Sequence, residues 1–122
     1  KVAAELHRWE DDQYFDEMVS TLESIIIFAA KHEAQVVLFT PPAFKTYREN
    51  LNDEQLGRTL STSALLAKRY KNCFYFTFLD DDSFSENDFY DADHVNKIGA
   101  EKLTLKIDSI IGVCIKMKSF NE

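Results

Sequence analysis

Asp91 and His94 are the two residues of this chain whose types and spacing suit proton transfer. A carboxylate three residues before an imidazole, in a loop that enters a helix, can fold back and accept the Nδ1 proton. Nε2 then faces outward as a base, which is the Asp-His half of a hydrolytic triad. The same spacing also fits an acidic, solvated loop with a histidine near a helix start, and the residues alone leave both readings open. His7 and His32 fall near the chain start and at a helix end, where they read as solvated surface residues. Asp80, Asp82, Asp88, Asp91 and Asp93 offer oxygens to a hard cation such as calcium. The EF-hand pattern fails, because Phe84 stands at the third ligand position and no glycine turns the loop, so no metal is assigned. Cys73 opens an apolar strand at the end away from the ligand side and reads as a small buried hydrophobe, not a thiol nucleophile. The aromatic strand around Tyr75 reads as sheet core, since a stacking platform for bases would carry positive charge.

These residues must be positioned by a small number of elements. Glu10-Asp11-Asp12 puts negative charge ahead of a helical pattern. Phe15, Met18, Val19, Leu22, Ile25, Ile26 and Ala29 then recur at steps of three and four, which predicts a core-facing helix to about Lys31. Gln35 to Thr40 is short, β-branched and continuously apolar until Pro41-Pro42 stops it, so it reads as a strand buried on both faces. Asn52 followed by Gln55 resembles a capping box, and Leu56, Leu60, Ala64 and Ala67 give the next helix its buried stripe. Cys73 to Leu79 is the second strand. An acidic loop from Asp80 to His94 leads to a last helix starting near Asn96, a good N-cap. Its buried face would be Leu103, Ile107, Ile110, Ile111 and Cys114. Gly99 beside Ala100 would allow that helix to approach the sheet closely.

The order helix, strand, helix, strand, helix implies βαβ units and a parallel sheet. In such sheets ligands sit beyond the carboxyl ends of the strands, here Thr40-Pro41-Pro42 and Leu79 to Asp82. The second of these ends leads into the segment that holds Asp91 and His94. Two strands are too few for a stable doubly wound sheet. The remaining strands are therefore expected upstream in a longer protein or from a partner chain.

Composition removes other classes. The 122 residues suit one domain, 45% are apolar and 29% charged, and only two are proline and three glycine. A net charge of −7 disfavours a nucleic-acid partner. The longest apolar run, Ile25 to Ala30, is far short of the ~20 residues of a membrane span. Two cysteines make no disulfide scaffold and their spacing fits no metal knuckle. The chain begins at Lys1 and shows no signal peptide, so any targeting segment is expected outside it.

The block Phe89-Tyr90-Asp91-Ala92-Asp93-His94-Val95-Asn96-Lys97-Ile98-Gly99-Ala100-Glu101-Lys102 resembles the C-terminal block of SGNH (GDSL-like) hydrolases, which carry Asp-x-x-His just before their final helix. The strand Val36 to Pro42, the Tyr47 region and the stretch Leu79 to Phe84 are also similar to the bacterial, extracytoplasmic branch of that superfamily. The resemblance implies a three-layer α/β/α, flavodoxin-like parallel sheet, of which this chain would be only the C-terminal part. It implies catalytic roles for Asp91 and His94, an acyl-ester substrate, carried on a carbohydrate or envelope polymer, and a periplasmic or envelope-associated setting. It requires no cofactor. The chain departs from the family in one respect. The Gly-Asp-Ser-like turn that supplies the nucleophile is missing, as are the glycine and asparagine that supply the oxyanion donors. Ser20, Ser24, Ser61 and Ser63 fall in helical patterns, and Ser83 and Ser85 lack a glycine-built turn. The alternative expectation is a non-catalytic α/β module that associates through an open sheet edge. In either case self-association, or a missing N-terminal half, is expected.

Overall fold

The computed structural model describes residues 2–6 and 12–120. The expected charge at Glu10 and Asp11 and the surface histidine His7 lie outside the described residues. The elements are α1 (Val2–Leu6), α2 (Asp12–Lys31), β1 (Val36–Thr40), α3 (Lys45–Arg48), α4 (Asp53–Arg69), β2 (Cys73–Thr77), a 3-10 turn (Glu86–Asp88) and α5 (Lys97–Phe120). The strands β1 and β2 pair in parallel, with Val36 opposite Cys73 and Thr40 opposite Thr77. The molecule is thus mixed helix and strand around a two-stranded parallel sheet, with α4 as the crossover.

Local sequence explains the element ends. Asn52 has extended backbone and its side chain accepts from the Gln55 amide at 2.8 Å, satisfying one orphan donor of α4. Asn96 does the same for α5, its Oδ1 accepting from the Gly99 amide at 3.1 Å. Helix α2 stops when Glu33 takes a left-handed φ of 56°, which lets Ala34 donate back to the Ala29 carbonyl. Strand β2 ends at Thr77, two residues before the expected Leu79. Phe78 still donates to the Thr40 carbonyl, but its own carbonyl accepts from Asp81 and turns the chain. The short helices α1 and α3, of five and four residues, carry too little periodicity to be legible in sequence.

Alternation along the strands puts Val36 and Leu38 on one face. There they pack with Cys73, Ile26 of α2 and Leu66 of α4 to form the core, flanked by Leu22, Ala67 and Tyr70. Both strands are only half-buried and Phe39 is 41% exposed, so the expected burial on both faces is not met. The described helices do not cover both faces fully. The helical stripes are wider than their cover for the same reason. Met18 and Ile25 of α2, Ala64 of α4 and Ile111 of α5 were expected inside and are exposed. Met18 and Ile25 instead line an open groove of about 570 Å³ with Leu22, Thr59, Thr62 and Leu66. Cys114 is buried as expected, whereas Leu103, Ile107 and Ile110 are half-buried. Cys73 and Cys114 are free thiols.

Gly99 does serve close packing, but not against the sheet. A β-carbon on it would stand 2.1 Å from the Asp88 carbonyl oxygen and 3.0 Å from the β-carbon of Val95. The close approach is between α5 and the 3-10 turn that precedes it.

Candidate active site

The loop carrying Asp91 and His94 is held at both ends. Phe89 and Val95 form an antiparallel bridge, and the Tyr90 amide donates to the His94 carbonyl at 2.8 Å. The Asn96 amide donates to the Asp88 carbonyl at 2.8 Å, and its side-chain amide donates to the carbonyls of Asn87 and Phe89. The Phe44 amide, four residues past β1, donates to the Ala92 carbonyl at 3.1 Å. That bond ties the loop to the chain leaving the carboxyl end of β1.

Within the loop, Asp91 does two jobs. Its Oδ1 accepts from the amides of Asp93 and His94, at 3.2 and 2.9 Å, which fixes the turn. The same oxygen lies 2.9 Å from Nδ1 of His94, and Oδ2 lies 3.1 Å from it. A proton on Nδ1 therefore has two acceptors, and Nε2 is left as a base. The hydrogen bond to Asp91, followed by the negative charges of Asp91 and Asp93, raises the His94 pKa above its ordinary 6.5. The reciprocal bond from His94 holds the Asp91 carboxyl below its ordinary value. Both side chains are open to water, at 71% for His94 and 48% for Asp91.

Asp93 also lies beside the imidazole. Its Oδ1 is 3.4 Å from Nδ1 of His94, and its side chain is less exposed than that of Asp91. Asp93 also helps burial to raise the pKa of the Tyr47 hydroxyl, a buried residue of α3. The imidazole thus has a carboxylate partner at hydrogen-bond distance and a second one just beyond it.

The acidic loop does not gather its carboxylates around one point. Asp80 pairs with Arg48 at 2.5 Å, Asp81 with Lys106 at 2.8 Å and Asp88 with Lys102 at 2.6 Å. Lys106 and Ser83 hold the Asp81 carboxyl down at about 2. The protein's own cations satisfy Asp80 and Asp88, so they do not join Asp82, Asp91 and Asp93 as ligands of one ion. Donor atoms of Asp91, Asp93 and His94 do lie within 4.8 Å of one another. The Nδ1 of that group is committed to Asp91, and exposed acidic groups of this kind are common without an ion, so no metal ligand is assigned.

The other candidates fall away from the loop. Cys73 begins β2, at the end opposite the loop, and burial pushes its thiol pKa up. Tyr75 bonds Thr40 across the two strands at 2.7 Å. His32 is exposed and lies against Phe28, with ring centres 4.5 Å apart. Ser20 and Ser24 lie in α2, and Ser61 and Ser63 in α4. Ser85 caps the 3-10 turn by accepting and donating with Asp88. Two residues near the loop have no role assigned from sequence. Arg48 reaches from α3 to the Leu79 carbonyl and Asp80, and Lys102 reaches from α5 into the loop to Ser83 and Asp88. No helix among the described residues is long and apolar enough to cross a membrane.

No family model, curated protein or solved structure matches the chain.

Proposed function

We propose that these residues are the C-terminal part of an SGNH-like serine esterase or acyltransferase with a three-layer, flavodoxin-like sheet. The observation that carries the reading is the Asp91–His94 pair, 2.9 Å apart in a braced loop tied to the chain beyond β1. The resemblance of the Phe89 to Lys102 block is its second support. In this reading His94 Nε2 removes the proton from a serine hydroxyl and returns it to the leaving alcohol. Asp91 keeps the proton on Nδ1 and stabilises the imidazolium that forms. The serine and the oxyanion donors lie outside this chain. The substrate is an acyl ester, on a carbohydrate or an envelope polymer, in an extracytoplasmic setting. The chemistry calls for no cofactor.

The test is made on the natural polypeptide that carries these residues. Replacing His94 with Ala should slow hydrolysis of p-nitrophenyl acetate by about 10²–10⁴-fold, the usual contribution of a general base. An unchanged rate would remove the assignment. A second reading, a non-catalytic module, is favoured by a different observation. Among the described residues each strand pairs with only one neighbour, which leaves two sheet edges for association.

A further inference from the structure

We infer that Gly99 and the Asp88–Lys102 pair are positioning residues that set the Asp91–His94 geometry by clamping the foot of its loop. The inference about geometry stands on the structure, and its catalytic meaning rests on the proposed function.

The loop of residues 89–95 leaves the 3-10 turn at Asp88 and returns at Asn96. Its two feet meet at one carbonyl, that of Asp88, which accepts from the Asn96 amide. Gly99 lies against this same carbonyl. A β-carbon there would sit at 2.1 Å, more than an ångström inside ordinary contact at ~3.5 Å, and the obstacle is main chain that cannot rotate away. The Asp88 side chain anchors the foot from the other side. It is 2% exposed, and its Oδ2 receives Lys102 Nζ at 2.6 Å, the Ser85 amide at 2.7 Å and the Ser85 hydroxyl at 3.3 Å. Lys102 Nζ also donates to the Ser83 carbonyl at 2.7 Å, and its charge lies 5.2 Å from the centre of the Phe84 ring. A buried carboxylate so satisfied is costly to displace, because losing one partner leaves an uncompensated charge. Helix α5 and the Asn96 cap before it therefore grip the loop through one asparagine, one glycine and one lysine, at successive steps of three residues.

A helix glycine kept only for want of selection would behave otherwise. Alanine is the better helix former, and at Gly112, also in α5, an added β-carbon meets nothing within 4 Å. That position is the control.

The experiment is NMR titration of the His94 ring in the natural polypeptide that carries these residues, with and without Asp91→Asn as a second change. In the unaltered chain and in Gly112→Ala, Asp91→Asn should lower the His94 pKa. In Gly99→Ala the His94 pKa should already have fallen, and adding Asp91→Asn should lower it little further. Lys102→Gln should act like Gly99→Ala, and Lys102→Arg should restore most of the loss. If Gly99→Ala does not fold, as judged by circular dichroism, Lys102→Gln carries the test by the same readout. A folded Gly99→Ala or Lys102→Gln chain whose His94 pKa and response to Asp91→Asn match the unaltered chain would overturn the inference. If the titrations behave as expected but His94→Ala leaves ester hydrolysis unchanged, the clamp stands and the hydrolase reading falls.

Discussion

At the scale of single residues, the Asp91–His94 contact follows from three-residue spacing in a turn that Asp91 itself caps. Spacing made this pair legible, because the bond is local. It does not place Asp93, since the direction of an adjacent side chain depends on how the loop packs beside Tyr47. The two carboxylates should therefore differ in degree. Asp91→Asn should lower the His94 pKa most, because it replaces a charge-assisted hydrogen bond with a weaker one to a neutral amide and removes the nearest charge. Asp93→Asn should lower it less, because it removes only a charge. Ring-proton titration of the two variants checks the order, and equal effects would contradict it. The sign for stability follows from the raised folded pKa. The contribution of His94 is fully present below its ordinary 6.5 and is lost as pH rises through the folded value. The lowered carboxyl of Asp81 acts in the opposite sense. Its contribution is present above the ordinary 3.8 and is lost as pH falls through about 2.

At the scale of elements, the three long helices and both strands were legible because each rests on periodicity or a cap. Asn52 and Asn96 cap the helices they were expected to cap. What was not legible depends on docking. The Asp88–Lys102 pair joins residues 14 apart, and it exists only because α5 lies against the 3-10 turn. Gly99 was assigned to the sheet for the same reason, as sequence shows that a glycine allows close approach but not to what. The over-wide stripes of α2 and α5 also fit this pattern, because apolar spacing marks a face without saying how much of it has a cover. The covered part is small, and Ile26 of α2, fully buried against α4 and the sheet, is its centre. Replacing Ile26 with Ala should cost about 2–5 kcal/mol in urea unfolding, as a deleted core side chain does. Ile25, its exposed neighbour at 52%, should cost far less. Similar costs for the two would mean that the core is not where the packing puts it.

At the scale of the whole molecule, the chain presents more apolar surface than its own sheet can cover. Ile25, Phe28, Phe39, Leu105 and Ile115 are each more than two-fifths exposed. A two-stranded sheet with open edges and faces of this kind should associate. Light scattering at micromolar concentration should show dimers or larger species, together with binding of a hydrophobic dye. A clean monomer that binds no dye would speak against a surface built to be covered. The proposed function joins this surface to the exposed dyad, because a covering half would supply the nucleophile and also exclude water from His94. The most direct test is a fluorophosphonate probe on the natural polypeptide, followed by mapping of the labelled peptide. The account predicts one labelled serine outside these 122 residues and loss of labelling in His94→Ala. A label on a serine within them, or labelling that proceeds at the same rate without His94, would contradict it.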